Sequence, residues 1–305
     1  MKVGLNGSVL EASEAVISVY DHGFLYGMGL FETFRTYGGV PYLLDRHLDR
    51  LHAGCEQLGI RYQTDPEQLI ALLEELLKAN ELEDAYIRMT VSAGESELGL
   101  PTGDYERPNV LILVKALPPA NDAVHMHGRE LRLMHTRRNT PEGDVRYKSL
   151  HYMNNIIAKR ELLSSKASVG AEGLMLSHEG WLAEGIVSNL FFVKNNVIYT
   201  PAISTGILPG ITRGRVLELA SSAGLSAEEG LYSREQLQQA DEIWLTNSIQ
   251  ELVPVTRLTD TMGQTHVVGS GEAGAITRQL LSMYRQSTTA NEMNVSTRTA
   301  IRDNA

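Results

Sequence analysis

Apolar positions along the first third of the chain alternate between two periods, and each change of period marks an element. Leu30 to Thr36 and Val40 to Leu44 are β-rich runs separated by Tyr37-Gly38-Gly39, which predicts a hairpin with a tight turn. Over Asp45 to Leu58 the apolar residues Leu48, Leu51, Cys55 and Leu58 recur at helical spacing, so Cys55 belongs to the core. Arg50 lies off that stripe, roughly 100° around from Leu51, on the side of His47 and Gly54. Asp65-Pro66-Glu67-Gln68 supplies an N-cap residue, a proline at the first helical position and Gln68 at the third, and opens a leucine-rich helix. Strands follow over Tyr86 to Ser92 and Asn109 to Lys115, with Gly94, Gly99, Pro101 and Gly103 punctuating the loop between them.

Pro118-Pro119-Ala120-Asn121-Asp122 interrupts this pattern and places a linker over residues 118 to 124. The second half opens with a strand near Glu130 to His135, then a polar loop, Arg137 to Gly143, that leads to Lys148. An amphipathic helix is expected over His151 to Leu163, then short strands over Gly173 to Ser177, Trp181 to Ala183, Asn189 to Val193 and Val197 to Thr200. A helix over Thr212 to Ser222, a strand over Asp241 to Asn247 and a final helix over Gly271 to Tyr284 complete the pattern. From Gln286 the chain is polar without apolar periodicity, which predicts a disordered tail. The expected organisation is an N-terminal α/β domain over residues 1–120, a C-terminal α/β domain over 121–285, and the tail over 286–305.

Composition narrows the function classes. A chain of 305 residues exceeds what one core usually serves, and 43% apolar with 21% charged residues is ordinary for a globular protein. The net charge of −10 gives no general attraction to nucleic acid or to an anionic membrane. Cys55 is the single cysteine, which excludes an intramolecular disulfide and argues against a cysteine-based zinc site. Polar residues interrupt the first ten positions where a secretory signal needs an apolar run, and no apolar stretch reaches membrane-span length, so a cytoplasmic protein is expected.

Several residues could carry chemistry. Lys148 is a candidate nucleophile and proton carrier if burial or nearby positive charge depresses its pKa. Leu208-Pro209-Gly210-Ile211-Thr212-Arg213-Gly214 opens a helix, where unpaired amides favour an anion such as a phosphate; an ordinary capped helix is the other reading. Arg50 either meets such a phosphate or is solvated, and Gly54 beside it calls for close packing. Glu184, in a turn between strands, is either a surface carboxylate or the partner of a heteroaromatic ring nitrogen. Thr246-Asn247-Ser248 offers hydroxyls and an amide after a strand. The nine histidines lack metal spacing, no Gly-x-Ser-x-Gly elbow is present, and Gly23, Gly27 and Gly29 do not form a dinucleotide fingerprint.

In this order, Asp21 to Glu32, His47-Leu48-Asp49-Arg50-Leu51, Lys148-Ser149, Glu184 to Asn189, Gly210-Ile211-Thr212-Arg213 and Thr246-Asn247-Ser248 through Val255 resemble the fold type IV pyridoxal-5'-phosphate enzymes. That family includes branched-chain aminotransferases, D-amino-acid aminotransferases and 4-amino-4-deoxychorismate lyases, and the resemblance spans about Asp21 to Leu258. It implies a two-domain α/β (α+β) fold of the D-amino-acid aminotransferase-like type, pyridoxal 5'-phosphate as cofactor, and a homodimer. Position by position it makes Lys148 the Schiff-base lysine, Arg50 a phosphate ligand and Glu184 the partner of the pyridine nitrogen, with Ile211, Thr212 and Ser248 in the phosphate cup.

Within the family, Ser92-Ala93-Gly94-Glu95-Ser96-Glu97 stands where D-amino-acid aminotransferases carry an Arg-x-His carboxylate trap. Thr33 after Phe31-Glu32, Tyr152-Met153-Asn154-Asn155 and Thr246 to Glu251 look like the lyases. The resemblance therefore implies a lyase that makes 4-aminobenzoate and pyruvate for folate synthesis, with Thr33 relaying a proton. An aminotransferase, and a non-catalytic cofactor-binding protein, are the alternatives. Arg35, Arg88, Arg137, Arg138 and Arg146 are all candidates for substrate carboxylates.

Overall fold

Alternation along one strand organises the first part of the molecule. In β3 (Gly29–Tyr37) the residues Leu30, Glu32 and Phe34 point to one face and Phe31, Thr33 and Arg35 to the other. Leu30 and Phe34 share a buried cluster with Leu48, Leu51 and Cys55 of a helix, so that face is the core face. The computed structural model describes residues 1–119 and 122–302. They divide into two compact units, Met1–Pro118 with Tyr147–His151 and Ser287 onward, and Pro119–Arg146 with Tyr152–Gln286.

The first unit contains β1 (Lys2–Leu5), β2 (Ser8–Glu11), α1 (His22–Tyr26), β3, β4 (Val40–Pro41), α2 (Leu44–Gln57), α3 (Pro66–Ala79), β5 (Ala85–Ser92) and β6 (Asn109–Ala116). Its sheet has the order β2-β1-β6-β5-β3-β4, with every neighbouring pair antiparallel. Gly38 and Gly39, at φ 56° and 79°, make the left-handed two-residue turn that the β3–β4 hairpin requires. Asp65 caps α3 by accepting from the Glu67 amide, and Pro66 fills the first position as expected. Gly54 lets α2 approach the sheet closely: a Cβ there would lie 2.6 Å from Leu30 Cδ1.

Tyr147–His151 belongs to this unit, which corrects the expectation that Lys148 sits in the second domain. The cause is backbone pairing. The Phe31 amide donates to the Lys148 carbonyl at 2.8 Å and the Leu150 amide to the Gly29 carbonyl at 3.0 Å, so the segment adds an extra rung beside β3.

The second unit contains α4 (Asp122–His127), β7 (Arg129–Leu133), α5 (Met153–Ser164), β8 (Glu172–Leu176), β9 (Leu182–Gly185), β10 (Asn189–Lys194), β11 (Val197–Pro201), α6 (Ile211–Ser222), β12 (Ala227–Gly230), α7 (Arg234–Gln238), β13 (Glu242–Asn247), β14 (Glu251–Thr259) and β15 (Thr265–Val267), and the start of α8 (Ala275–Arg302). Its mixed sheet runs β12-β11-β10-β13-β14-β7-β8-β9, with β15 on β14. Because Glu184 of β9 also pairs with Asn189 of β10, the strands from β10 round to β9 close into a ring. Leu131, Leu174, Leu190, Leu245 and Val255 share its buried cluster.

Two expectations change here. The stretch expected as amphipathic is helical as α5, but its buried residues are Asn155, Ala158 and Leu162, while Met153, Ile156, Ile157 and Leu163 are exposed. The tail expected to be disordered from residue 286 is instead the continuation of α8 to Arg302, and residues 303–305 lie outside the described residues. Within α8, Ser287 Oγ lies 2.5 Å from Tyr42 OH and Thr288 is buried.

Candidate active site

Register decides what surrounds Lys148. Its carbonyl accepts from Phe31, so the two residues are neighbours across the sheet, and the Lys148 ammonium lies 4.6 Å from the centroid of the Phe31 ring. Two residues along β3, on the same face, comes Thr33, whose partner in β5 is Arg88. The Arg88 guanidinium covers the same phenyl ring at 3.6 Å. Lysine, threonine and arginine thus share one face of the first sheet around a single aromatic ring.

The opposite face carries a buried carboxylate. Glu32 Oε2 accepts from His47 Nδ1 at 2.6 Å and from Arg50 Nη2 at 2.6 Å, and its Oε1 accepts from Arg50 Nε at 2.8 Å. Burial pushes the Glu32 carboxyl up, but the Arg50 guanidinium and the His47 bond outweigh it and bring the pKa down to about 2. For His47, burial depresses the pKa, Glu32 opposes, and the charges of Arg50 and Lys148 add to the depression. His47 is therefore a neutral donor at neutral pH. The two-pronged bond fixes the plane of the Arg50 fork.

Glu184, on β9, is also buried and held by three donors. Its Oε1 accepts from Arg138 Nε at 2.7 Å, and its Oε2 from Asn189 Nδ2 at 3.2 Å and from the Leu208 amide at 3.0 Å. Arg138 is held in turn by Asn154 and Asn155 through Nη1, and Asn155 Nδ2 donates to the Ile186 carbonyl at 2.5 Å. A carboxylate so fixed presents a constant direction to any donor that reaches its remaining lone pairs.

Helix α6 begins at Ile211 with Gly210 as its N-cap, and no side chain caps its first amides. The Thr212 and Ser248 hydroxyls lie 3.3 Å apart beside this start. Gly210 is obligatory: a Cβ there would lie 2.0 Å from Asn189 Oδ1, and Asn189 is the residue whose amide nitrogen holds Glu184 and the Leu208 carbonyl. Uncapped amides, a positive dipole end and two hydroxyls form a donor set suited to a dianion.

Each residue singled out from the sequence is now located. Lys148, Thr33 and Arg50 lie in the first unit, and Glu184, Ile211, Thr212 and Ser248 in the second. Two candidate substrate arginines are committed elsewhere. Arg138 holds Glu184, while Arg146 is buried with Nε on the Gly206 carbonyl at 2.5 Å and Nη2 on the Asn139 carbonyl. Burial, then the charge of Arg138, lowers the Arg146 pKa to about 10. Glu32 and His47 were not assigned roles from the sequence, yet a glutamate between inward-pointing Leu30 and Phe34 is itself the signal of a buried, paired carboxylate.

Known proteins share this arrangement of elements. Residues 29–258 match the family described as amino-transferase class IV. The chain is 41% identical to an aminodeoxychorismate lyase of Bacillus subtilis (strain 168), over 92% of this chain and 93% of that protein. Among solved structures, 4-amino-4-deoxychorismate lyase from Pseudomonas aeruginosa superposes with a TM-score of 0.80 at 29% identity, covering 93% of this chain and 98% of that one. A T.th. branched-chain amino acid aminotransferase with pyridoxamine 5'-phosphate gives 0.83 at 28% identity, over 95% and 94%.

Proposed function

The chain belongs to the amino-transferase class IV family, and from that membership we propose that it is a 4-amino-4-deoxychorismate lyase. It is a pyridoxal-5'-phosphate-dependent enzyme, and the residues present fit that cofactor. The uncapped start of α6 with the Thr212 and Ser248 hydroxyls suits a phosphate dianion. Ile211, Thr212, Ser248 and Arg50 would hold the phosphate, Glu184 the pyridine N–H, and Lys148 Nζ the carbonyl carbon. When bound, the cofactor supplies a protonated ring that accepts the electron pair released at a carbon bearing an amine.

The observation that carries the lyase reading is the shared face of Lys148 and Thr33 around Phe31. Lys148 Nζ, the base on that face, would remove the proton from the amine-bearing ring carbon. Loss of that proton and breakage of the ring C–O bond aromatise the ring to 4-aminobenzoate. The departing enolpyruvyl group takes up a proton at its methylene carbon, relayed by the Thr33 hydroxyl, and leaves as pyruvate. One proton leaves the substrate and one is returned, so no amino acceptor is consumed.

The test is incubation of purified protein with 4-amino-4-deoxychorismate and no keto acid. Equimolar pyruvate and 4-aminobenzoate are expected, and Thr33→Val should lower kcat by roughly 100-fold with little change in KM. Acceptor-dependent transfer from an L-amino acid, with no pyruvate released, would instead make the chain an aminotransferase.

The reading also carries a homodimer in the cytoplasm, serving folate synthesis. Supporting the dimer, each unit exposes apolar residues: Val16, Val19 and Phe24 in the first, and Met153, Ile156 and Leu163 in the second. Sedimentation equilibrium at micromolar concentration should give twice the 33.6 kDa chain mass; a single-chain mass would remove the dimer from the proposal.

A further inference from the structure

The loop joining β13 to β14 closes with Asn247 opposite Glu251, leaving Ser248, Ile249 and Gln250 between them. A residue at the end of such a turn that adopts the left-handed conformation is best served by glycine, because a Cβ crowds the backbone there. Here the position is held by Glu251, at φ 62°. Its carboxylate is buried and accepts from Arg285 Nε of α8 at 2.7 Å. Other supports converge on the same turn. Asn247 Oδ1 accepts from the Ile249 and Gln250 amides at 3.0 and 2.8 Å, and Gln250 Oε1 accepts from Arg129 Nη1 at 3.3 Å. Ser248 is the residue that this bracing carries, with its hydroxyl beside Thr212 at the start of α6.

A turn that needed only to connect two strands would be served by glycine at lower cost, and a strained residue tied to a distant helix indicates that the turn's orientation matters. We propose that Glu251, braced by Arg285, is a positioning residue that sets the angle at which the turn offers Ser248 to the cofactor phosphate. The proposal rests on the reading of the α6 start as the phosphate cup. In this proposal Glu251 acts through the backbone from Gln250 to Ser248 rather than by contact with the cofactor.

The phosphate gives a readout that a general loss of structure does not move. Dissociation constants for pyridoxal 5'-phosphate and for pyridoxal, which lacks the phosphate, are measured by absorbance on the full chain and on Glu251→Gly and Arg285→Gln. Glu251→Gly places the preferred residue at the left-handed position, which offsets part of the loss of the Arg285 pair, so the variant should fold. Its affinity for pyridoxal 5'-phosphate should nonetheless fall about tenfold while that for pyridoxal changes less than about twofold. Arg285→Gln, at a half-exposed position, should move the ratio in the same direction and keeps the test open if the first variant folds poorly. Unchanged phosphate-form affinity in both variants, or an equal loss for both ligands, overturns the positioning role alone. A parental chain that binds neither ligand overturns the cofactor reading and this inference with it.

Discussion

Replacing Lys148 by alanine is expected to lower turnover of 4-amino-4-deoxychorismate by a factor on the order of 10⁴ or more, and to abolish borohydride-dependent attachment of pyridoxal 5'-phosphate to the chain. Both losses follow from one amine. Beside it on that face of β3, Thr33 is a hydroxyl and the Arg88 guanidinium does not lose its proton. The fold should survive, because the segment is held to β3 by the Lys148 carbonyl and the Leu150 amide, neither of which is altered. Mass spectrometry of the reduced protein should find the adduct on the peptide containing Lys148 in the parental chain and on no peptide in the variant. An adduct that persists in the variant assigns the carbonyl to a different lysine and sinks the mechanism.

Local periodicity made much of the fold legible. The spacing of Leu48, Leu51 and Cys55 defines α2, and Gly38-Gly39 defines a turn, because both depend on neighbours within a few residues. The β1–β2 hairpin was legible too, in Asn6-Gly7 between short apolar runs, and passed unassigned because each strand has four residues. β14 is masked by Pro254, which reads as a break although it sits opposite Trp244 in the sheet. Lys148 could be found but not placed: its unit is decided by hydrogen bonds to residues more than a hundred positions earlier, which no local pattern encodes.

The site divides along the same line. Residue type and motif order single out Lys148, Glu184 and the Gly210-Ile211-Thr212 start as candidates, whereas the groups that hold them carry no such signal. Arg138 looked like a substrate arginine because its charge is visible in the sequence and its partner is not. Gly210 reads as a site of close approach, and the group that crowds it is Asn189 of β10. Orientation is a property of pairs distant along the chain, and so becomes visible only in three dimensions.

Glu32→Gln tests such a pair most severely. The substitution preserves shape and removes the charge that His47 and Arg50 share. Breaking a buried pair from one side costs about 3–5 kcal/mol, enough to lower the first unfolding transition by roughly 10 °C. The pH dependence has a definite sign. Because the Glu32 pKa is lowered from 4.5 to about 2 in the folded chain, its contribution is complete above the unfolded value. It is lost as pH falls from 4.5 through 2, and amounts to about 3 kcal/mol. The part of the difference between parent and variant that comes from Glu32's own titration should therefore shrink in solution more acidic than its unfolded pKa. His47 cannot compensate, since losing Glu32 removes the influence that raised its pKa and leaves burial and the neighbouring cations to depress it further. Adding Arg50→Met to the variant should recover part of the loss, because the Arg50 cation is then gone. Urea unfolding of the four proteins measures the coupling, and a single variant within about 0.5 kcal/mol of the parent would mean that the pair neither holds the first unit together nor fixes Arg50.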